Sequence, residues 1–397
     1  LFVPHCNFGT EYEVCRLAKK LNVPVLLWGP RDECPDENGM RLRDSQCGLF
    51  ATGKVLRRFG IPFTYLKNCN LEDECFAEGI DRFLRVCNVV KAFRNTRVLQ
   101  ISTRPFDFWS TMCNEGELLE KFGIQLSPIP MPELTQAMKD VKENSPEEIK
   151  EVTDYCREKM CIKVTPEQLD NVAALKIAMT RLGKKYGCNC GAIQCWNALQ
   201  DEIGIMPCAA NALCNDEGFP IACETDIHGT ITSVLVEAAA MGETRSFFAD
   251  WTVRHPYNDN AELLQHCGPW PISIAKEKPT IDTPVAFDCS GSLMAQAKDG
   301  EHISLVRFDG DNGEYSLLLG NAKTVDGPYT KGTYMWVEVE NLDRLEDKLV
   351  QGPYIHHCVG VHQDVVPVLY EACKYIGVTP DLYDPIEEDV KAYLRGE

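Results

Sequence analysis

The sequence predicts an α/β chain: two doubly wound α/β domains, then a C-terminal antiparallel β-barrel-like domain with helices. Three observations lead there. Short apolar runs alternate with helical patterns through the first hundred residues, as parallel βαβ layers do. The middle is helix-rich. After about residue 271 the pattern changes to alternating runs separated by turn signals.

The elements follow in order. Val23–Trp28 is a short apolar run that reads as a buried strand. Asp44–Phe59 reads as a helix, with Asp44 or Ser45 as its cap and Gly60 at its stop. Pro62–Leu66 reads as a strand, Leu71–Phe93 as a helix and Val98–Ser102 as a strand. Ser145-Pro146-Glu147-Glu148 carries a cap, a first-turn proline and an acid three residues after the cap. Thr165-Pro166-Glu167-Gln168 repeats that signal before a helix reaching about Tyr186. A further helix is expected near Ile221–Ala240, then a strand at Ser246–Ala249.

Pro269, Pro271 and Pro279 mark a linker. Beyond it, alternating runs fall at Val285–Asp288, His302–Phe308, Tyr315–Leu319 and Thr333–Val339, with Asn312-Gly313 as a hairpin signal between two of them. The last forty residues read as helix, strand, helix. The expected domains are 1–103, 104–270 and 271–397, consistent with 397 residues at roughly 100–200 per domain. The chain does not begin with Met, and Leu1-Phe2-Val3-Pro4 resembles part of a strand, so the first domain is expected to lack its start.

Composition narrows the function classes. Apolar residues make up 44% and charged residues 25%, which excludes wholesale disorder. The net charge is −19, with no basic stripe, so neither nucleic acid nor an anionic membrane is an expected partner. No run approaches the roughly 20 apolar residues of a membrane helix. The 20 cysteines are scattered, without paired CxxC motifs, and read as reduced, mostly buried thiols of a cytoplasmic protein.

Three segments combine acids and histidines. Cys223-Glu224-Thr225-Asp226-Ile227-His228-Gly229 opens a helix; its plainer reading is first-turn acids favoured by the helix dipole. In Phe247-Phe248-Ala249-Asp250-Trp251 an acid follows an apolar strand, where open α/β sheets bind ligands; a capping Asp is an equal alternative. Gly352–Gly360 holds His356 and His357, whose side chains would diverge on an extended strand. The plainer reading there is one buried and one surface histidine. His266 is a fourth candidate. Two acids and a histidine brought together would suit Mn²⁺ or Mg²⁺ better than structural zinc.

The segments Ala222–Thr232, Ser246–Trp251 and Gly352–Gly360 resemble the L-fucose and L-arabinose isomerase superfamily. Asp44-Ser45-Gln46-Cys47-Gly48 is similar to that family's N-terminal region. The resemblance implies an intracellular, cytoplasmic aldose–ketose isomerase acting on an unphosphorylated sugar through a cis-enediol. It implies Mn²⁺ as cofactor, with Mg²⁺ or Co²⁺ as alternatives, and a trimer- or hexamer-based homo-oligomer. By motif, Glu224, Asp250 and His357 would hold the metal, and the two acids would also act in catalysis. His356, Asp226, His266 and Gln46 would meet the substrate. Rival readings are a non-catalytic sugar-binding or regulatory protein, a metal-dependent sugar hydrolase and a phosphosugar isomerase. The last is disfavoured because no compact Lys/Arg cluster is present.

Overall fold

A computed structural model describes residues 1–284 and 288–384, and the chain divides into two units. The first takes residues 1–91 together with 368–377; the second takes 92–367 and resumes at Val378. Val285–Phe287 of the predicted Val285–Asp288 run, and the helix predicted at the extreme C-terminus, lie outside the described residues.

In the first unit β1 (Phe2–Pro4), β2 (Leu26–Trp28) and β3 (Thr64–Tyr65) form a parallel sheet in that order. The helices Glu11–Leu21 and Ser45–Arg58 contribute Cys15, Ala18, Leu49 and Leu56 to a core with Val3 and Leu27. Asp44 holds the cap position of the second helix, but in a left-handed conformation without a side-chain cap. Asp32 does that work instead, accepting from the N–H groups of Ser45 (2.9 Å) and Gln46 (3.2 Å). The late helix Val366–Ile376 returns to this unit, where the Tyr375 hydroxyl donates to the Val25 carbonyl at 3.1 Å.

The second unit begins with β4 (Arg97–Ile101), β5 (Gln125–Ile129), β6 (Cys161–Ile162), β7 (Cys190–Ile193) and β8 (Ile221–Ala222). Apart from β6, these form a parallel sheet in the order β5-β4-β7-β8. The chain leaves β4 on one side for β5 and returns on the other as β7. The carboxyl ends of β4 and β7 therefore flank a switch point, where ligands of open α/β sheets bind. The helix Pro166–Tyr186 covers this sheet and begins with the predicted capping box between Thr165 and Gln168. Ser145 caps nothing with its side chain, whose hydroxyl instead accepts from Arg181 at 2.9 Å.

The remaining strands are β9 (Phe247–His255), β10 (Asn258–His266), β11 (Thr280–Asp282), β12 (Ser292–Gln296), β13 (Ile303–Asp311), β14 (Glu314–Val325), β15 (Thr333–Glu338), β16 (His357–Val361) and β17 (Thr379–Leu382). Their pairings run β14-β13-β16-β9-β10-β15 and close through β14–β15, every pair antiparallel. The ring packs Phe247, Leu264, Trp270, Leu305, Met335 and Cys358 inside. Asn312 and Gly313 both have positive φ in the β13–β14 hairpin, the backbone that this dipeptide favours.

Antiparallel pairing thus starts at residue 247, ahead of the predicted change near 271. The signal is weak because β9 becomes exposed after Trp251 and β10 opens with Asn258-Asp259-Asn260, poor strand formers. The helix expected from Ile221 starts at Ile227, because β8 and a tight turn come first. No helix among the described residues is long and apolar enough to cross a membrane.

Candidate metal and active site

Glu224 is placed by an unusual turn. Glu224 and Thr225 both adopt left-handed backbone, with φ of 59° and 55°, immediately after β8. Neither is glycine, and Thr is β-branched, so each position costs about 1–3 kcal/mol. The surrounding structure holds the strain. The Thr225 N–H donates to the Ile193 carbonyl at 3.0 Å and its hydroxyl to the Thr103 carbonyl at 3.1 Å. Glu224 is therefore not a first-turn acid. Its carboxylate turns inward, with Oε1 accepting from the Trp196 indole at 3.2 Å.

Asp250 and His357 meet by strand register. β9 and β16 pair antiparallel with Asp250 directly opposite His357, and Asp250 is opposite Gln265 of β10 on its other side. His266 then follows at the end of β10. Nε2 of His357 lies 3.0 Å from Oε2 of Glu224 and 3.5 Å from Oδ1 of Asp250. Nε2 of His266 lies 4.0 Å and 3.8 Å from the same two oxygens. All four atoms are buried without a hydrogen-bond partner. Four converging orphan polar atoms, two of them carboxylate oxygens, fit a bound cation and are otherwise costly.

The two histidines present different chemistry. Nδ1 of His357 donates to Oδ2 of Asp226 at 2.8 Å, which leaves the lone pair on Nε2 when the ring is neutral. Nδ1 of His266 accepts the Cys267 N–H at 2.9 Å, so a neutral ring carries its proton on Nε2 and presents a donor. Ligand atoms of Glu224, His266 and His357 lie within 4.8 Å of one another, as do those of Asp250, His356 and His357; with two carboxylates meeting at His357, the cluster suits a hard divalent ion.

Asp226 is wholly buried beneath His357. It caps the helix Ile227–Ala239 by accepting from the Gly229 N–H at 2.9 Å, and both its oxygens also accept from Arg307. Arg307, itself buried in β13, also donates from Nε to Asp309 at 2.9 Å, and Asp309 pairs with His228. Burial is the largest influence on Asp226 and acts upward, but Arg307 and His357 outweigh it and hold the carboxyl far below the usual range. Glu224 is also lowered: burial opposes ionisation, and the adjacent His357 with the other nearby histidines prevails. Burial pushes the His357 imidazole down, yet the Asp226 and Glu224 carboxylates beside it carry it up to about 10. A cation at Nε2 must therefore displace a proton.

His356 precedes β16 and is exposed, so strand alternation does not separate the pair. Its ring stays 4.4 Å from that of His357, and the two lie close to Asp250. Phe108 stacks on His357 with centroids 5.7 Å apart and also meets Trp196 and His356; Phe248 closes another side. Gln46 lies in the first unit, exposed at the start of its helix. Arg307, Trp196 and Phe108 were not legible as site residues: an arginine within an alternating strand and aromatics in loops carry no local signal.

Comparison with known proteins bears on this geometry. Residues 1–94 match the family model described as the Fucose/sulfoquinovose isomerase N-terminal domain. The chain is 25% identical over 384 residues to a sulfoquinovose isomerase of Priestia aryabhattai, covering 95% of this chain and 84% of the relative. These matches support a fucose isomerase-like family for the chain, and with it an isomerase. A sulfoquinovose isomerase of Alkalicoccus urumqiensis is 24% identical over 357 residues, 89% of this chain and 79% of its own. One from Clostridium sp. (strain MSTE9) is 24% identical over 392 residues, 97% and 86%. The family model ends at residue 94, ahead of the strands and turns that supply Glu224, Asp250, His266 and His357.

Proposed function

We propose that this fucose isomerase-like chain is a Mn²⁺-dependent aldose–ketose isomerase of a sulfonated hexose, sulfoquinovose, working by proton transfer through a cis-enediol. The observation that carries the reading is the convergence of Glu224, Asp250 and His357, with their facing atoms buried and unpartnered. The names of the relatives supply the sugar. A neutral aldose of the fucose or arabinose type is the second reading, favoured by the motif resemblance.

Glu224, Asp250 and His357 would hold a divalent ion, which would supply Lewis-acid stabilisation of the enediolate charge. The chain's own residues do the rest. Of the carboxylates Glu224 and Asp250, one accepts the C2 proton of the open-chain aldose and returns it to C1. The indole of Trp196 holds Glu224 from its far oxygen, so Oε2 faces the site in one orientation. The Nε2–H of His266 donates toward the substrate oxygen that gains a proton, and exposed His356 lies at the mouth. Asp226 keeps His357 in the required tautomer rather than touching sugar. Phe108, Trp196 and Phe248 limit access of water.

The remaining parts of the reading follow the family resemblance: a trimer- or hexamer-based assembly, a cytoplasmic location, domain limits near residues 103 and 270, and a substrate role for Gln46 beside a neighbour's site. The test is turnover of sulfoquinovose with Mn²⁺, followed as ketose formed. Glu224→Gln and Asp250→Asn should each lower kcat by about two orders of magnitude or more. Normal turnover by either variant removes that residue from the chemistry.

A further inference from the structure

We propose that Arg104 binds the sulfonate of the sugar and so sets preference for an anionic over a neutral hexose; this rests on the isomerase reading above. Its position comes first. Arg104 lies in the segment leaving the carboxyl end of β4, between two residues anchored at the site. Thr103 accepts from the hydroxyl of Thr225, the neighbour of Glu224. Phe108 packs on both His356 and His357. Apart from β13, whose Arg307 is already paired with Asp226 and Asp309, Arg104 is the sole lysine or arginine in the segments around the site (102–114, 194–197, 223–226, 249–251, 265–267 and 355–358).

Its hydrogen bonding comes second. Nη1 donates to the carbonyls of Pro105 (3.1 Å) and Phe106 (3.0 Å), which fixes the guanidinium on its own loop. Nε and Nη2 have no partner among the described residues, and no carboxylate pairs with Arg104 there. An unpaired, half-buried guanidinium is unusual in a chain with 59 acids and 40 cations. The free Nε–H and Nη2–H are the parallel donors that engage two oxygens of one tetrahedral anion. A sulfonate carries a single negative charge, so one arginine suffices. A phosphate dianion would call for the Lys/Arg cluster that these segments lack.

The experiment compares sulfoquinovose with quinovose, the same sugar without the sulfonate, in the wild type and in Arg104→Gln and Arg104→Lys variants. Two readouts are taken: the ratio of kcat/KM values with Mn²⁺, and calorimetric binding of each sugar to the metal-free protein at low and high salt. Losing a charge-assisted pair should lower the sulfoquinovose-to-quinovose ratio by about ten- to a hundredfold in Arg104→Gln. Arg104→Lys should recover part of it, and the salt sensitivity of sulfoquinovose binding should vanish in Arg104→Gln. An equal loss for both sugars would mark a purely structural loop residue and overturn the proposal, as would no change in the ratio. If the wild type turns over neither sugar, the isomerase reading fails and binding alone decides Arg104. Preference for the sulfonated sugar that disappears in Arg104→Gln would sustain it; equal binding of the two sugars by the wild type would overturn it.

Discussion

Asp226→Asn tests how the site is held. Asp226 accepts four hydrogen bonds: Oδ1 from the Gly229 N–H (2.9 Å) and Nη2 of Arg307 (3.2 Å), Oδ2 from Nη1 of Arg307 and from His357 Nδ1 (2.8 Å). Asparagine keeps one acceptor oxygen. If that oxygen stays with Gly229, the amide N–H₂ faces His357, whose Nδ1 must then accept. The imidazole proton moves to Nε2, the atom needed by a cation. If the amide turns over, Gly229 loses its cap partner and His357 loses the charge that makes it a strong donor to metal. Removing such a partner of a ligating histidine costs about ten- to a hundredfold in metal affinity. Breaking a buried pair with Arg307 adds a stability loss of about 3–5 kcal/mol at most, since Asp309 remains. Asp309→Asn is the control: it touches Arg307 and His228 but not His357, so it should lose stability while keeping metal affinity. The assay is Mn²⁺ titration by calorimetry beside urea unfolding. A folded Asp226→Asn protein with wild-type Mn²⁺ affinity would refute the tautomer argument.

Other outcomes follow from the same geometry. His357→Ala should lose bound Mn²⁺, whereas His356→Ala should retain most of it with reduced turnover; metal analysis of both purified variants decides, and the reverse pattern would exchange the two roles. Because His357 is raised to about 10, Mn²⁺ binding should release about one proton at neutral pH and weaken about tenfold per pH unit on acidification. Calorimetry in buffers of different ionisation enthalpy reads that proton, and its absence would contradict the assignment. Glu262 in β10 is raised from 4.5 to about 7, first by burial and then by Glu346. The folded state therefore holds this proton longer than the unfolded state does. Stability falls as pH rises from about 4.5 to 7, by roughly 3 kcal/mol as an upper bound. Glu262→Gln should accordingly be more stable than wild type at pH 8 and equal to it near pH 4; denaturant melts that show the same difference at both values would refute this.

The parts of the fold legible in sequence are those with a local cause. The capping box at Thr165, the Asn312-Gly313 hairpin and the short apolar strands of the parallel sheet each depend on neighbouring residues. Glu224, Asp250 and His357 were legible as chemistry-bearing types in unusual company, but their meeting depends on the β9–β16 register and on a strained turn after β8. Neither leaves a local pattern. Asp226 illustrates the limit most clearly. The family resemblance implied a group facing substrate, whereas its partners in the structure include Arg307, which lies 81 residues away in sequence. An antiparallel, barrel-like part was expected beyond residue 271; its earlier start was hidden, because β9 and β10 mix polar and apolar residues on their exposed lengths.

The central claim is that carboxylates at Glu224 and Asp250 move a proton between adjacent sugar carbons. Its most direct measurement is NMR of the Mn²⁺-loaded enzyme with sulfoquinovose in D₂O. Transfer through an enediol by a carboxylate that can exchange with solvent predicts a ketose carrying deuterium at C1, formed by the wild type and about a hundredfold more slowly or worse by Glu224→Gln. A ketose formed at the normal rate with no deuterium at C1 would point to direct hydride transfer, and that result, or no ketose at all, would contradict the account.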